Sequence, residues 1–223
     1  MLLLAVDTSG KHGSIALARC RPDDACEVLE VAPLSGGTFS AELVPQIAAL
    51  LHKHGFSKAD IGAFAVVSGP GSFTGLRIGL AVIKALAEVL AKPIAAVSLL
   101  QALASAGHSR GRVLAALDAG RNEVFLGEYE IGSAGTHVIR ERLLTRDEWL
   151  ESASDAVIVT PDNTLAEAAR TKGLHVVEVE RPRSDAIAQL GWRKIVSGET
   201  VSSEALDANY IGRSEAELFL KGS

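Results

Sequence analysis

The chain has 223 residues, 48% hydrophobic and 22% charged, with 22 basic against 27 acidic side chains and a net charge of −5. That is ordinary globular usage, and it excludes disorder, collagen and coiled coil as the main state. The negative balance argues against the chain holding nucleic acid alone, because phosphate binding needs a basic footprint. Arg181, Arg183, Arg193 and Lys194 are the candidate local patch. Aromatic residues make up only 4%, so the core must be aliphatic.

Leu2 to Asp7 is short, apolar and ends in an acid, which predicts a strand. The turn Thr8 to Gly13 and a strand from Ser14 to Arg19 complete a hairpin, and a third strand is expected over Glu27 to Val31. Thr38 or Ser40 can cap a helix from Ala41 to His54, with Leu43, Val44, Ile47, Leu50 and Leu51 at helical spacing and Pro45 near the first turn. Ala63 to Val67 reads as a buried strand, and the loop SGPGSFTG opens a long apolar helix from Gly75 to Leu90. A strand from Pro93 to Val97 and a helix from Leu99 to Ala106 follow.

The second half begins again. VLAALD at Val113 to Asp118 has the look of LLLAVD at Leu2 to Asp7, each closed by an acid before a hairpin turn. Strands at Glu123 to Ile131 and Ile139 to Leu143, a helix at Arg146 to Ser152, a strand at Ala156 to Thr160, a helix at Thr164 to Thr171, a strand at His175 to Glu180 and a helix from Asp185 to Val196 complete it. Both halves read βββαβαβ with a closing helix, and such a repeat predicts two like α/β lobes with a cleft between them. The polar, Gly-rich stretch Gly107 to Arg112 places the boundary, giving lobes of 1–107 and 108–223.

Cys20 and Cys26 are spaced neither as a CxxC redox motif nor as half of a zinc ribbon, so two reduced thiols are expected. The opening MLLLAVDTSG lacks a basic n-region and is broken by Asp7, which predicts a strand instead of a signal peptide. Lys84, Glu88 and Lys92 interrupt the longest apolar run, so no transmembrane segment is expected and the protein reads as cytoplasmic.

Chemistry has two candidate sites. The loop Ser68 to Arg77 joins a strand to a helix, so its N–H groups favour an anion. It is not a Walker A loop, since Leu76 and Arg77 follow Gly75, and its GxGxxxG spacing is not the dinucleotide fingerprint. The other reading is a tight turn with a helix cap, and Gly75 and Gly79, one helical turn apart, allow another backbone to approach closely. Asp7 can hold a metal–phosphate group or cap its own hairpin turn. The six histidines include no HxxxH or HExxH, and no GxSxG elbow anchors a triad, so neither a His-built metal site nor peptidase chemistry is expected.

The segments AVDTSGKHGSIALA, VVSGPGSFTGLRIGLAVIKALAEVLAKPIAAVSLLQALA, DAGRNEVF and DANYIGRSEAEL together resemble the TsaB (YeaZ) family across nearly the whole chain. The resemblance implies the duplicated two-lobe α/β fold of actin and the sugar kinases (the ASKHA fold), with mixed sheets flanked by helices. It implies a non-catalytic scaffold and activator that pairs with TsaD, the larger catalytic relative. TsaD transfers a threonylcarbamoyl group to adenosine 37 of tRNAs reading codons that begin with A. The ATPase TsaE binds the pair, tRNA is met through the complex, and the chain alone is expected to form homodimers. TsaD-like proteins carry metal-binding histidines four apart where this chain has Leu99 and Leu103, so no metal and no cofactor is expected, beyond a weak ATP or ADP at the partner interface. The residual nucleotide site would use Asp7, Thr8, Ser9, Gly69, Gly71, Ser72 and Thr74. The partner interface would use Leu43, Ile47, Leu50, Leu76, Gly79, Leu80 and Ile83, so charge at Leu80 or Ile83 is expected to abolish pairing. The family's usual His-Ser at the first helix is Phe39-Ser40 here, while Tyr210 and Arg213 keep a Tyr-x-x-Arg motif. The alternative is an ATP-binding protein or small-molecule kinase of the same fold, against which the short chain weighs.

Overall fold

The computed structural model describes residues 1–22, 26–133, 135–153 and 156–211. Arg213 of the Tyr-x-x-Arg motif lies outside them. The chain forms two compact units, Met1–Leu99 with Pro182–Asn209, and Leu100–Arg181 with Tyr210–Ser223.

The first unit is built on β1 (Leu2–Asp7), β2 (Gly13–Cys20), β3 (Cys26–Leu34), α1 (Phe39–Lys53), β4 (Ile61–Gly69), α2 (Phe73–Leu90) and β5 (Ile94–Ser98). The second has α3 (Leu99–Ala106), β6 (Gly111–Gly120), β7 (Glu123–Gly132), β8 (Gly135–Thr145), α4 (Arg146–Ser152), β9 (Val157–Thr160), α5 (Asn163–Thr171) and β10 (His175–Glu178). The last helix is α6 (Ser184–Val196). Each unit has a five-stranded mixed sheet, ordered β3-β2-β1-β4-β5 and β8-β7-β6-β9-β10, so the repeat legible in the sequence is a repeat of topology. In each, the antiparallel hairpin supplies one side and parallel strands the other. Every residue of β1 is buried, as is every residue of β4 except Gly62, which is the burial expected of central strands covered on both faces.

The helix ends differ in detail from the sequence reading. Helix α1 starts at Phe39, so Pro45 falls in its second turn. The carbonyl that its N–H would have met belongs to Ala41, on the exposed side, where water can serve it. Thr38 occupies the cap position, but its hydroxyl donates to the Ser35 carbonyl at 3.0 Å and caps no helical N–H.

Helix α6 belongs with the first sheet, although the sequence reading put it in the second half. It lies against all five strands of that sheet. The Ser184 N–H donates to Ser14 Oγ at 3.0 Å, and Trp192 Nε1 donates to the Arg21 carbonyl at 2.9 Å. The buried stripe Ile187, Ala188 and Leu190 faces that sheet instead of the preceding one. In exchange, α3 from Leu100 onward counts with the second unit.

The expected pair of thiols is also corrected. Register places Cys20 opposite Cys26 as the last rung of the β2–β3 ladder, and the two are joined as a disulfide. Among the described residues, no helix is long and apolar enough to cross a membrane.

The second unit carries a charged staple. The buried Glu128 carboxylate accepts from Arg112 Nε at 2.8 Å and from Arg140 Nε at 2.7 Å. Burial pushes its pKa up, but the bonds and charges of Arg140 and Arg112 outweigh this and hold it below the ordinary 4.5. A folded-state value below the unfolded one means stability that is complete above the ordinary value and lost as pH falls through the lowered one. Glu128→Gln should therefore lower the urea midpoint at neutral pH, and the gap to wild type should shrink in acid. A gap of equal size at both pH values would mean that the carboxylate's charge contributes nothing.

Candidate functional site

The site begins where β1 ends. Asp7 Oδ1 accepts the Ser9 N–H at 2.8 Å and the Ser9 hydroxyl at 2.6 Å, so the acid caps its own turn. Asp118 repeats this in the second unit, accepting the Gly120 N–H at 3.1 Å. The Asp7-Thr8-Ser9 turn is buried against the start of α2. Thr8 Oγ1 donates to the Gly75 carbonyl at 2.7 Å, and the Ser72 N–H donates to the Ser9 carbonyl at 2.7 Å. Ser72 caps α2 by accepting the Gly75 N–H at 3.3 Å.

The glycines of the loop answer to these contacts. A Cβ on Gly71 would lie 2.4 Å from the Ser9 carbonyl oxygen, one on Gly75 2.0 Å from the Thr8 carbonyl oxygen, and one on Gly79 2.3 Å from Thr8 Oγ1. Gly69 is taken up differently, since a Cβ there would lie 2.5 Å from the Asn209 carbonyl oxygen, and the Asn209 N–H donates to the Ser68 carbonyl at 2.8 Å. The close approach expected of Gly75 and Gly79 is made by the chain's own turn.

Asp7, Thr8, Ser9, Gly69, Gly71 and Ser72 are thus brought together, but as a packed unit. Atoms of the turn lie where a Cβ would stand on Gly71, Gly75 and Gly79, so a side chain is excluded at those positions. Ser72 and Gly75 also line a recess that opens beside the loop. Thr74 is exposed and stands apart from that packing. It lines the same recess, of about 470 Å³, with Lys11, His12, Gly36, Phe39 and Ser72. Lys11 and His12 were not among the sequence candidates, and their place in a hairpin turn carried no motif. Phe39 is 5% exposed and presents an apolar wall there.

The partner-interface residues require a correction. Leu43, Ile47, Leu50, Leu76, Gly79, Leu80 and Ile83 are all buried within the chain, Ile83 completely. They form the inward stripes of α1 and α2, which pack on each other and on the sheet. The outward stripes carry Ala41, Val44 and Ala48 on α1 and Ala81 and Ala85 on α2, all exposed. Val44 stands in the helical spacing read from the sequence, whereas periodicity passes over the alanines because alanine weighs little beside leucine and isoleucine. At the start of α2, the Arg77 guanidinium lies 3.7 Å from the centroid of the Phe73 ring, and Phe73 is 54% exposed.

Leu99 and Leu103 are fully buried. No group of three or more His, Cys, Asp or Glu side chains that could hold a metal occurs among the described residues. In the suggested basic patch, Arg183 faces Asp185 at 4.0 Å and Lys194 faces Glu199 at 3.3 Å, which offsets their charge locally.

The comparisons with known proteins return a TsaD family model and TsaB or YeaZ relatives. The sequence matches the family described as TsaD, tRNA N6-adenosine threonylcarbamoyltransferase, over residues 34–195. It is 30% identical to the tRNA threonylcarbamoyladenosine biosynthesis protein TsaB of Bacillus subtilis (strain 168), over 97% of this chain and 96% of that one. It is 28% identical to the Escherichia coli (strain K12) protein of the same name, over 100% of this chain and 99% of that one. The fold superposes on YeaZ from Pseudomonas aeruginosa with a TM-score of 0.76 and 27% identity, covering 94% of this chain and 99% of that one. The chain belongs to the TsaB (YeaZ) family.

Proposed function

We propose that this chain takes part in tRNA threonylcarbamoyladenosine biosynthesis as a non-catalytic scaffold and activator. It pairs with TsaD while TsaD modifies adenosine 37 of tRNAs reading codons that begin with A. The reading is supported by Leu99 and Leu103, the positions that the resemblance matches to the metal-binding histidines of TsaD-like proteins; both are fully buried. Leucine offers no lone pair to a metal, so the transfer chemistry falls to the partner. Pairing uses the outward stripes of α1 and α2, whose small side chains let a second pair of helices approach closely. A stable interface buries about 1,200–2,000 Å² in total, which two helices from each chain can supply. Without TsaD the same face joins two copies of this chain. TsaE binds the assembled pair, and tRNA is met through the complex.

The chain holds no resident cofactor on this reading. A nucleotide phosphate at the partner interface would use the recess lined by Lys11, His12, Ser72, Thr74 and Gly75. Calorimetry of the chain with magnesium-ATP separates this from a kinase, which must bind nucleotide alone.

The test is transfer in vitro. TsaD from the same organism, TsaE, ATP, threonylcarbamoyl-adenylate and tRNA are combined with or without this chain. Its addition should raise modification roughly tenfold or more, equivalent to about 1.4 kcal/mol of barrier. Modification by this chain without TsaD, or no response to it, would overturn the proposal.

A further inference from the structure

The cysteine pair has no part in the reading above. Cys20 and Cys26 are the final cross-strand pair of the β2–β3 ladder, with Cα atoms 4.0 Å apart. Their surroundings are unequal. Cys20 is fully buried, whereas Cys26, on edge strand β3, is partly exposed. The backbone around Cys20 is anchored independently of the sulfur. Its N–H donates to the Met1 carbonyl at 2.9 Å, its carbonyl accepts from the Met1 amine at 2.7 Å, and the next carbonyl, that of Arg21, accepts from Trp192 at 2.9 Å. Breaking the sulfur bond therefore leaves the end of β2 held.

We propose that Cys20 and Cys26 are a reversible thiol–disulfide exchange site. It is reduced by a dithiol and reoxidised by a low-molecular-weight disulfide of the glutathione class. The sulfur of the partly exposed residue, Cys26, is the one attacked. In reduction, an external thiolate attacks Cys26 Sγ, the bond to Cys20 breaks, and Cys20 leaves as a thiolate that takes a proton. The reductant's second thiol then displaces Cys26 from the mixed disulfide, so two electrons and two protons enter the protein and the dithiol becomes a disulfide. Oxidation runs in reverse. A Cys26 thiolate attacks oxidised glutathione and releases one glutathione thiolate. Cys20, within bonding reach, then displaces the second glutathione.

The site sits on the strand that frames α1. Glu30 of β3 accepts from Lys53 at 2.8 Å and meets His54 Nε2 at 2.9 Å, at the end of α1. The site therefore lies on an edge strand joined to that helix.

The full chain, folded, is equilibrated in buffers of reduced and oxidised glutathione, trapped by acid, alkylated with iodoacetamide in denaturant and weighed by mass spectrometry. Wild type should pass in one two-electron transition from two labels to none. The change should reverse on adding dithiothreitol to the folded protein, with an unchanged circular dichroism spectrum. Cys20→Ala, which keeps the buried position apolar, should accumulate one glutathione on Cys26. Cys26→Ala should leave the buried Cys20 without an adduct while folded. Two labels in excess oxidised glutathione would overturn the proposal. So would a bond that yields only after unfolding, or an adduct on Cys20 in folded Cys26→Ala. The wild-type titration decides the question even where a variant does not fold.

Discussion

Ala85→Glu or Val44→Glu should abolish co-elution with TsaD and leave the chain folded. Both positions are exposed, on the outward stripes of α2 and α1. Exposed substitutions cost within about 0.5 kcal/mol, so the melting temperature should stay within about 2 °C of wild type. In a helix–helix interface the same carboxylate would be stripped of water without a partner. A loss of at least a hundredfold in Kd, about 2.7 kcal/mol, is expected. Ile83→Asp is the contrast. Its side chain is fully buried, and an unpaired charge there should cost about 4–5 kcal/mol, much of the stability of a typical domain. It should unfold the first unit, with loss of the helical circular dichroism signal. If folded Ala85→Glu and Val44→Glu still pair with full affinity, the outward stripes are not the interface.

The second large effect concerns the seat of the Asp7-Thr8-Ser9 turn on α2. Gly79→Ala would place a methyl group 2.3 Å from Thr8 Oγ1. Overpacking of this kind should cost about 2–3 kcal/mol. Removing the offending oxygen with Thr8→Ala should cost about 1 kcal/mol alone, because the bond to the Gly75 carbonyl is lost. In that background Gly79→Ala should become nearly neutral, since the next atom of Thr8 is its Cβ at 3.5 Å. The double-mutant cycle should therefore show a favourable coupling of roughly 2 kcal/mol. Gly75→Ala admits no such rescue. Its methyl would meet the Thr8 carbonyl oxygen at 2.0 Å, a backbone atom that Thr8→Ala retains. Its cost should exceed about 4 kcal/mol in either background. Urea midpoints of wild type and the five variants check the set, and an additive cycle would mean that Thr8 does not rest on Gly79.

Much of the fold was legible because its signals are local. The acid-terminated strands, the hairpin turns and the helical spacing lie within short windows, and their recurrence from Val113 revealed the duplication. The placement of α6 was not local. An apolar stripe such as Ile187, Ala188 and Leu190 says that a helix has a buried face, but not which sheet it covers. Its tie to Ser14 spans 170 positions. The cysteine pair was hidden for a similar reason, since Cys20 and Cys26 oppose each other only once the β2–β3 register is known.

The candidate site was legible in position and less so in meaning. The spacing of Gly71, Gly75 and Gly79 announces that something comes close to α2. It cannot distinguish a phosphate from the Asp7-Thr8-Ser9 turn, and atoms of Thr8 and Ser9 are what a Cβ at these positions would meet. The interface reading failed in an instructive way. The strongest apolar residues of α1 and α2 were assigned to the partner, yet strong apolar residues are those a chain needs for its own core. Among the residues left outside are Ala41, Val44, Ala48, Ala81 and Ala85, small enough for close helix packing.

The claim that this chain is a partner to TsaD is tested most directly by light scattering on a size-exclusion column, with the chain mixed with TsaD from the same organism. The account predicts a single one-to-one species replacing both free proteins, and its loss with Ala85→Glu. Two unchanged peaks, at concentrations well above a micromolar Kd and with TsaE and ATP present, would contradict it.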